Sequence, residues 1–214
     1  MRSTSRRGRT LLRSAVSVSC LTLLTVMLSG CVALYVDNGV PDTQPSEFHR
    51  PQTPQPVQLL FSFQTKGVAN ARATDILKDQ VKETVTASGL FSAVSPDPVA
   101  GGAILSVTID NEPITSQQEA MAKGFGTGLT FGLAGSEVTD GYICTVDYLG
   151  APGSARISKV VHHAIHATVG AHAAPANSTK APDARTGVKT MARQAVGAAL
   201  KALSDDPAFG HQAP

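Results

Sequence analysis

Tryptophan is absent from the 214 residues, and aromatic side chains make up only 5% of them. Sugar-binding platforms rely on exposed rings, so a carbohydrate-stacking site is disfavoured. Catalytic signatures are missing too: there is no G-x-S-x-G, no H-E-x-x-H and no S-x-x-K. Asp110, Glu112, Asp140 and Asp147 fall near strand ends, but no spacing pairs them for acid–base work. The longest apolar run, Ala15 to Gly30, is shorter than the ~20 residues that span a bilayer as a helix. Cysteine occurs only at Cys20, Cys31 and Cys144.

The N-terminus has a clear organisation. Arg2, Arg6, Arg7, Arg9 and Arg13 precede the apolar run, and no acid interrupts them. A basic start, an apolar middle and small residues before a cut site mark an export signal rather than a structural helix. The run closes on Leu28-Ser29-Gly30-Cys31. This tetrapeptide resembles the lipobox of bacterial lipoproteins. The resemblance implies cleavage between Gly30 and Cys31, a diacylglyceryl thioether on Cys31 and a further acyl chain, commonly palmitate, on the new amino group. Several chains on one residue anchor far more firmly than one. Position 32 is Val, not the aspartate that holds lipoproteins in the inner membrane. The same resemblance therefore implies the outer membrane, with the domain facing the periplasm.

Maturation changes the charge. Removing five arginines lowers Lys+Arg from 18 to 13 against 16 Asp+Glu, taking the formal charge from +2 to −3. The basic precursor therefore gives no reason to expect nucleic acid as a partner. Of the cysteines, Cys20 leaves with the signal and Cys31 is lipidated, so no intrachain disulfide is available. Alternation in Tyr142-Ile-Cys-Thr-Val-Asp-Tyr148 puts Cys144 on an apolar face, as a buried small hydrophobe rather than a nucleophile.

Residues 31–56 read as the lipidated cysteine and a tether. Positions 37–56 hold five prolines and almost no aliphatic residues. Extended as polyproline II, that stretch would reach roughly 60 Å. His49 and Arg50 are expected to be solvated there.

The folded domain is expected over 57–205. Val57 to Thr65 alternates as a half-buried strand, and Asn70 caps a helix running to Ser88 and ending at Gly89. Leu90 to Val94 reads as a short strand, and Ala103 to Asn111 as a longer one. Val138 to Leu149, the turn Gly150-Ala-Pro-Gly153 and Ala155 to Gly170 give a hairpin signal. A proline-bounded loop over 173–182 leads to a helix with an apolar stripe from Val188 to Leu203. Residues 206–214 read as a loose tail. The fold class is α+β: one domain, a mostly antiparallel sheet of about 4–5 strands, two helices on one face and a glycine-rich insert. In architecture this resembles the small periplasmic α+β domains of outer-membrane lipoproteins, the curli-secretion lipoprotein among them.

The insert spans 116–136. Ser116 and Glu119 have capping-box spacing, and Ala120, Gly124, Gly128, Gly132 and Ser136 recur every four residues beside Met121, Phe125, Leu129 and Leu133. On a helix this is a small-xxx-small face suited to close helix approach. On a strand, Phe125, Leu129, Phe131 and Leu133 share one side. The other reading is a glycine-rich loop. Gly124-Phe-Gly-Thr-Gly128 lacks the Lys-Ser/Thr ending of a phosphate loop, so no nucleotide and no other cofactor is expected.

His162, His163, His166 and His172 raise the question of metal. Their β-branched surroundings favour a strand, and four residues along a strand span about 13 Å, too far for His162 and His166 to share an ion. His163 is expected on the apolar face, and no metal site is expected. The function these features imply is a lipid-anchored envelope protein with a non-catalytic binding or assembly role. The alternative is a self-associating, membrane-contacting module acting through Gly124, Gly128 and Gly132.

Overall fold

The computed structural model describes residues 32–113, 136–170 and 172–210. Strands β1 (Val32–Asp37), β2 (Val57–Thr65), β3 (Val68–Ala69), β4 (Val94–Ser95), β5 (Ile104–Pro113), β6 (Ser136–Leu149), β7 (Ile157–Val169) and β8 (Ser178–Ala181) form one sheet. The order is β3-β2-β5-β6-β7-β1-β8, with β4 also on β2. Helices α1 (Ala71–Ser88) and α2 (Ala184–Ser204) pack on one side of it and against each other.

Local chemistry explains both helices. The Asn70 side chain accepts the Ala73 N–H at 3.1 Å, giving the first turn a partner for an otherwise orphan donor. Gly89 ends α1 at φ +67°, a left-handed conformation that costs glycine nothing. Leu77, Val81 and Val85, four residues apart, make its buried stripe. In α2 the Asp183 side chain accepts from Thr186, and Met191, Ala192, Ala195, Val196, Ala199, Leu200 and Leu203 are all buried. Four of those seven are alanine or valine, and the short side chains bring the axis close to the sheet. Opposite them lie Leu105, Val107 and Ile109 of β5, Cys144 and Val146 of β6, and Ile165 of β7.

The α+β class and the two helices stand as the pattern implies, but the sheet does not. Among the described residues it has eight strands rather than 4–5, and it is mixed. Strands β2 and β5 run parallel from Gln58↔Ile104 to Thr65↔Asn111, because α1 carries the chain back between them. β4 also lies parallel to β2. From β5 through β6, β7, β1 and β8 every pairing is antiparallel.

The tether reading is corrected at both ends. Val32–Asp37 is a strand, inserted between β7 (Val32↔Val169 to Val36↔Ile165) and β8 (Leu34↔Ala181 to Asp37↔Ser178). After β1 the chain becomes a strap laid over the helices. Asp42 forms a bidentate ion pair with Arg193 at 2.8 and 2.9 Å, and a Cβ on Gly197 would lie 3.3 Å from the Thr43 hydroxyl. Phe48 packs against the core. Arg50 is not free in solvent: its Nε donates to the Ser88 carbonyl at 3.1 Å, serving one of the orphan carbonyls in the last turn of α1. His49, whose side chain is largely exposed, pairs with Asp205 at 2.8 Å. Prolines do not oppose this path, since the strap makes side-chain contacts with helices rather than a backbone ladder.

The loop expected over 173–182 contains β8, and the tail is not loose throughout. Phe209 is buried, with its ring centroid 5.1 Å from Tyr148 and 6.0 Å from Phe91. Its burial and these edge-on ring contacts hold the residues after α2 against the domain.

Candidate functional site

Three groups of residues have enough chemistry to be weighed as sites. The first is the row of histidines on β7. Side chains alternate, so His163 points to the helices while His162 and His166 point to the opposite face. His163 is buried. Its Nδ1 accepts the Ala164 N–H at 2.8 Å, which leaves Nε2 as the protonated nitrogen, donating to Gln194 Oε1 at 2.9 Å. Both ring nitrogens are used, and His163 is a satisfied core residue.

His166 is set among acids. Its Nδ1 lies 3.1 Å from Glu137 Oε1 and 3.0 Å from the Thr139 hydroxyl, and Nε2 is 3.6 Å from Asp37 Oδ2. His172 approaches the other Glu137 oxygen at 3.9 Å. Asp37, Glu137, Thr139 and His166 come from β1, β6 and β7 and tie the three strands together. Among the described residues, no three His, Cys, Asp or Glu side chains are placed to hold a metal ion.

Cys144, His163 and Asp147 carry the side-chain types that a nucleophilic site would need. Cys144 is fully buried, and burial pushes its thiol up to about 12. Asp147 stands three residues on, hence on the opposite face of β6, 3.8 Å from Arg156 Nε. His163 spends both nitrogens elsewhere. Cys144 and His163 share the helix-covered face on neighbouring strands, while Asp147 lies on the opposite face, so the three are not assembled into one site.

The third group lines an open cleft of about 720 Å³ at the end of the sheet where β6 turns into β7. Phe91, Tyr148 and Phe209 form its floor, and His49, Arg50, Asp205 and Asp206 its rim. Lys159 reaches Asp206 at 2.7 Å, and Lys201 and His49 both pair with Asp205. Hydrogen bonds from Lys201 and Lys159 hold the Asp205 and Asp206 carboxyls below the usual carboxylate range. Each rim acid is already neutralised by a neighbour, so the cleft presents balanced charge over an aromatic base. Strap and tail build it together. Sequence patterning missed it because His49, Arg50 and Phe209 lie in segments expected to be unstructured.

The residues singled out for lipidation and self-association, Gly30, Cys31, Gly124, Gly128 and Gly132, lie outside the described residues. The structure does place the chain on either side of them. Val32, which follows Cys31, pairs with Val169, and Ser136, which closes the insert, pairs with the same Val169 from its other side. No helix among the described residues is long and apolar enough to cross a membrane.

The architecture defines an α+β domain with one sheet face under two helices; among the described residues no helix packs on the other face. No family model matches the chain, and no curated protein matches its sequence. Among solved structures it is similar to two dodecameric PelC structures from Paraburkholderia phytofirmans. A PelC point variant is 14% identical, with a TM-score of 0.32, covering 80% of this chain and 95% of that one. A second PelC dodecamer is 12% identical, with a TM-score of 0.34, covering 80% and 97%. Similarity at this level carries no argument about function.

Proposed function

We propose that the protein is a lipid-anchored envelope lipoprotein with a non-catalytic binding or assembly role, held in the outer membrane and facing the periplasm. The observation that carries this reading is Leu28-Ser29-Gly30-Cys31 at the end of an arginine-led apolar run. Asp147 lies on the opposite face from Cys144 and His163, and both His163 ring nitrogens are already hydrogen-bonded, which supports a non-catalytic role. The balanced, aromatic-floored cleft supports a surface that docks a partner. Intact mass and membrane fractionation of the wild type beside Cys31→Ser test the reading. The wild type should carry acyl chains and sediment with outer membrane, and Cys31→Ser should do neither. Equal sedimentation of both would remove Cys31 as the anchor.

The four-residue recurrence of Gly124, Gly128 and Gly132 favours a second reading, self-association through the insert in contact with membrane. Replacing all three by Leu should then abolish oligomers measured by light scattering. Unchanged oligomers would exclude it.

A further inference from the structure

We infer that the tip formed by the ends of β1, β6 and β7 is seated on the lipid surface, and that it fixes the orientation of the whole domain. The inference rests on acylation of Cys31, and it adds which part of the fold meets the bilayer. Consecutive Cα atoms are 3.8 Å apart, so a lipidated Cys31 holds Val32 at headgroup level. Val32 is not the start of a flexible spacer. It is already registered in the sheet opposite Val169, and β1 is held on both sides by β7 and β8. An acyl anchor placed there has no slack between lipid and domain.

The neighbours of Val32 suit that position. Val169 is one strand away and Ser136 two, so both lie within ~10 Å of Val32. Alternation places Val32, Leu34, Val138, Ala167 and Val169 on the side where α1 and α2 pack. Yet Val32 is 62% exposed, and Leu34, Val138, Ala167 and Val169 are only half-buried, whereas Val36 and Ile165 further along the same face are buried. The apolar row thus continues past the cover of the helices and ends where the anchor attaches. Both described ends of the insert, Pro113 and Ser136, open toward the same end of the sheet. Opposite lies the cleft: β6 alone separates Ser136 from Leu149 by roughly 40 Å. A partner would thus meet the cleft well clear of the headgroups.

Fluorophores on single cysteines provide the test, using full-length acylated protein in phosphatidylethanolamine–phosphatidylglycerol vesicles that contain shallow spin-labelled lipid. Cys31 is blocked by its lipid and Cys144 is buried, so Val169→Cys, Val138→Cys and Asp97→Cys each label once. Asp97 is an exposed residue beside β4, at the cleft end. Labels at 169 and 138 should be quenched about two-fold or more by the lipid, as expected for side chains within the headgroup region, and the label at 97 should be untouched. Unquenched labels at 169 and 138 on protein that stays bound to vesicles would overturn the inference while leaving the anchor intact. If those labels are also shielded from aqueous iodide, the insert or a second copy covers the tip instead, which overturns it equally. Protein that lacks acyl mass and leaves the vesicles would overturn the anchor reading itself, and the tip assignment with it.

Discussion

Val36 separates the two descriptions of the N-terminal segment, because a tether residue and a sheet residue answer truncation differently. It is 4% exposed, under α2 at the point where Gly187 leaves room for its Cγ2. Val36→Ala removes two carbons worth about 0.8 kcal/mol each in lost burial. Incomplete collapse of the site adds a cavity contribution, bringing the cost to about 2 kcal/mol. For a domain of this size that is a fall of roughly 4–8 °C in Tm. Val32→Ala, at 62% exposure in the same strand, is the control and should stay within about 0.5 kcal/mol of wild type. Thermal unfolding of the three proteins by circular dichroism, in one detergent, measures the difference. Equal Tm for Val36→Ala and Val32→Ala would mean that β1 is not part of the cooperative unit. Amide exchange gives an independent reading, since β1 N–H groups paired with β7 should exchange as slowly as those of β6.

Gln194→Leu should cost about 1–3 kcal/mol, because it leaves the buried His163 Nε2–H without its acceptor; the double variant with His163→Leu should recover part of that in urea unfolding. Equal costs for the single and double variants would contradict the bond's role. The Cys144 thiol, pushed up by burial, should resist Ellman's reagent at pH 8 in the native protein and react fully in denaturant; fast native labelling would contradict the packing. The Asp206 carboxyl is held low by Lys159, so its stabilisation is present above the unfolded value near 3.9 and is lost as pH falls through the lower native value. Lys159→Met should therefore lower Tm at pH 6 and change it little at pH 2, and the same loss at both would exclude the ion pair as the cause.

Much of the domain could be read from the chain because its signals are local. Asn70 and Gly89 bracket α1, the stripe from Val188 to Leu203 marks α2, and alternation in Leu105-Val107-Ile109 and Tyr142-Cys144-Val146 marks two central strands. Alternation also assigned His163 to the apolar face, although nothing local could supply Gln194 as its partner. What escaped was non-local. Val32–Asp37 is short and follows the arginine-led apolar run, so nothing local distinguishes it from a spacer, and only its partners at the far end of the chain make it a strand. Ser178–Ala181 has too few apolar residues to alternate visibly. The parallel pairing of β2 with β5 depends on where α1 delivers the chain. Arg50 and Phe209 had no periodic context at all, and they help build the cleft that local patterning could not reveal.

The position of β1 between β7 and β8 also governs the order in which the molecule can be completed. A chain is made from its N-terminus, so β1 emerges before the other described strands. Its partners around Val169 and Ala181 are among the last strands to appear. Until they do, an apolar strand with two open edges waits unpaired. The sheet can close only by admitting its first strand last, and closure reports that the whole chain has arrived. A truncation that stops short of β8 therefore leaves β1 with an unpaired edge.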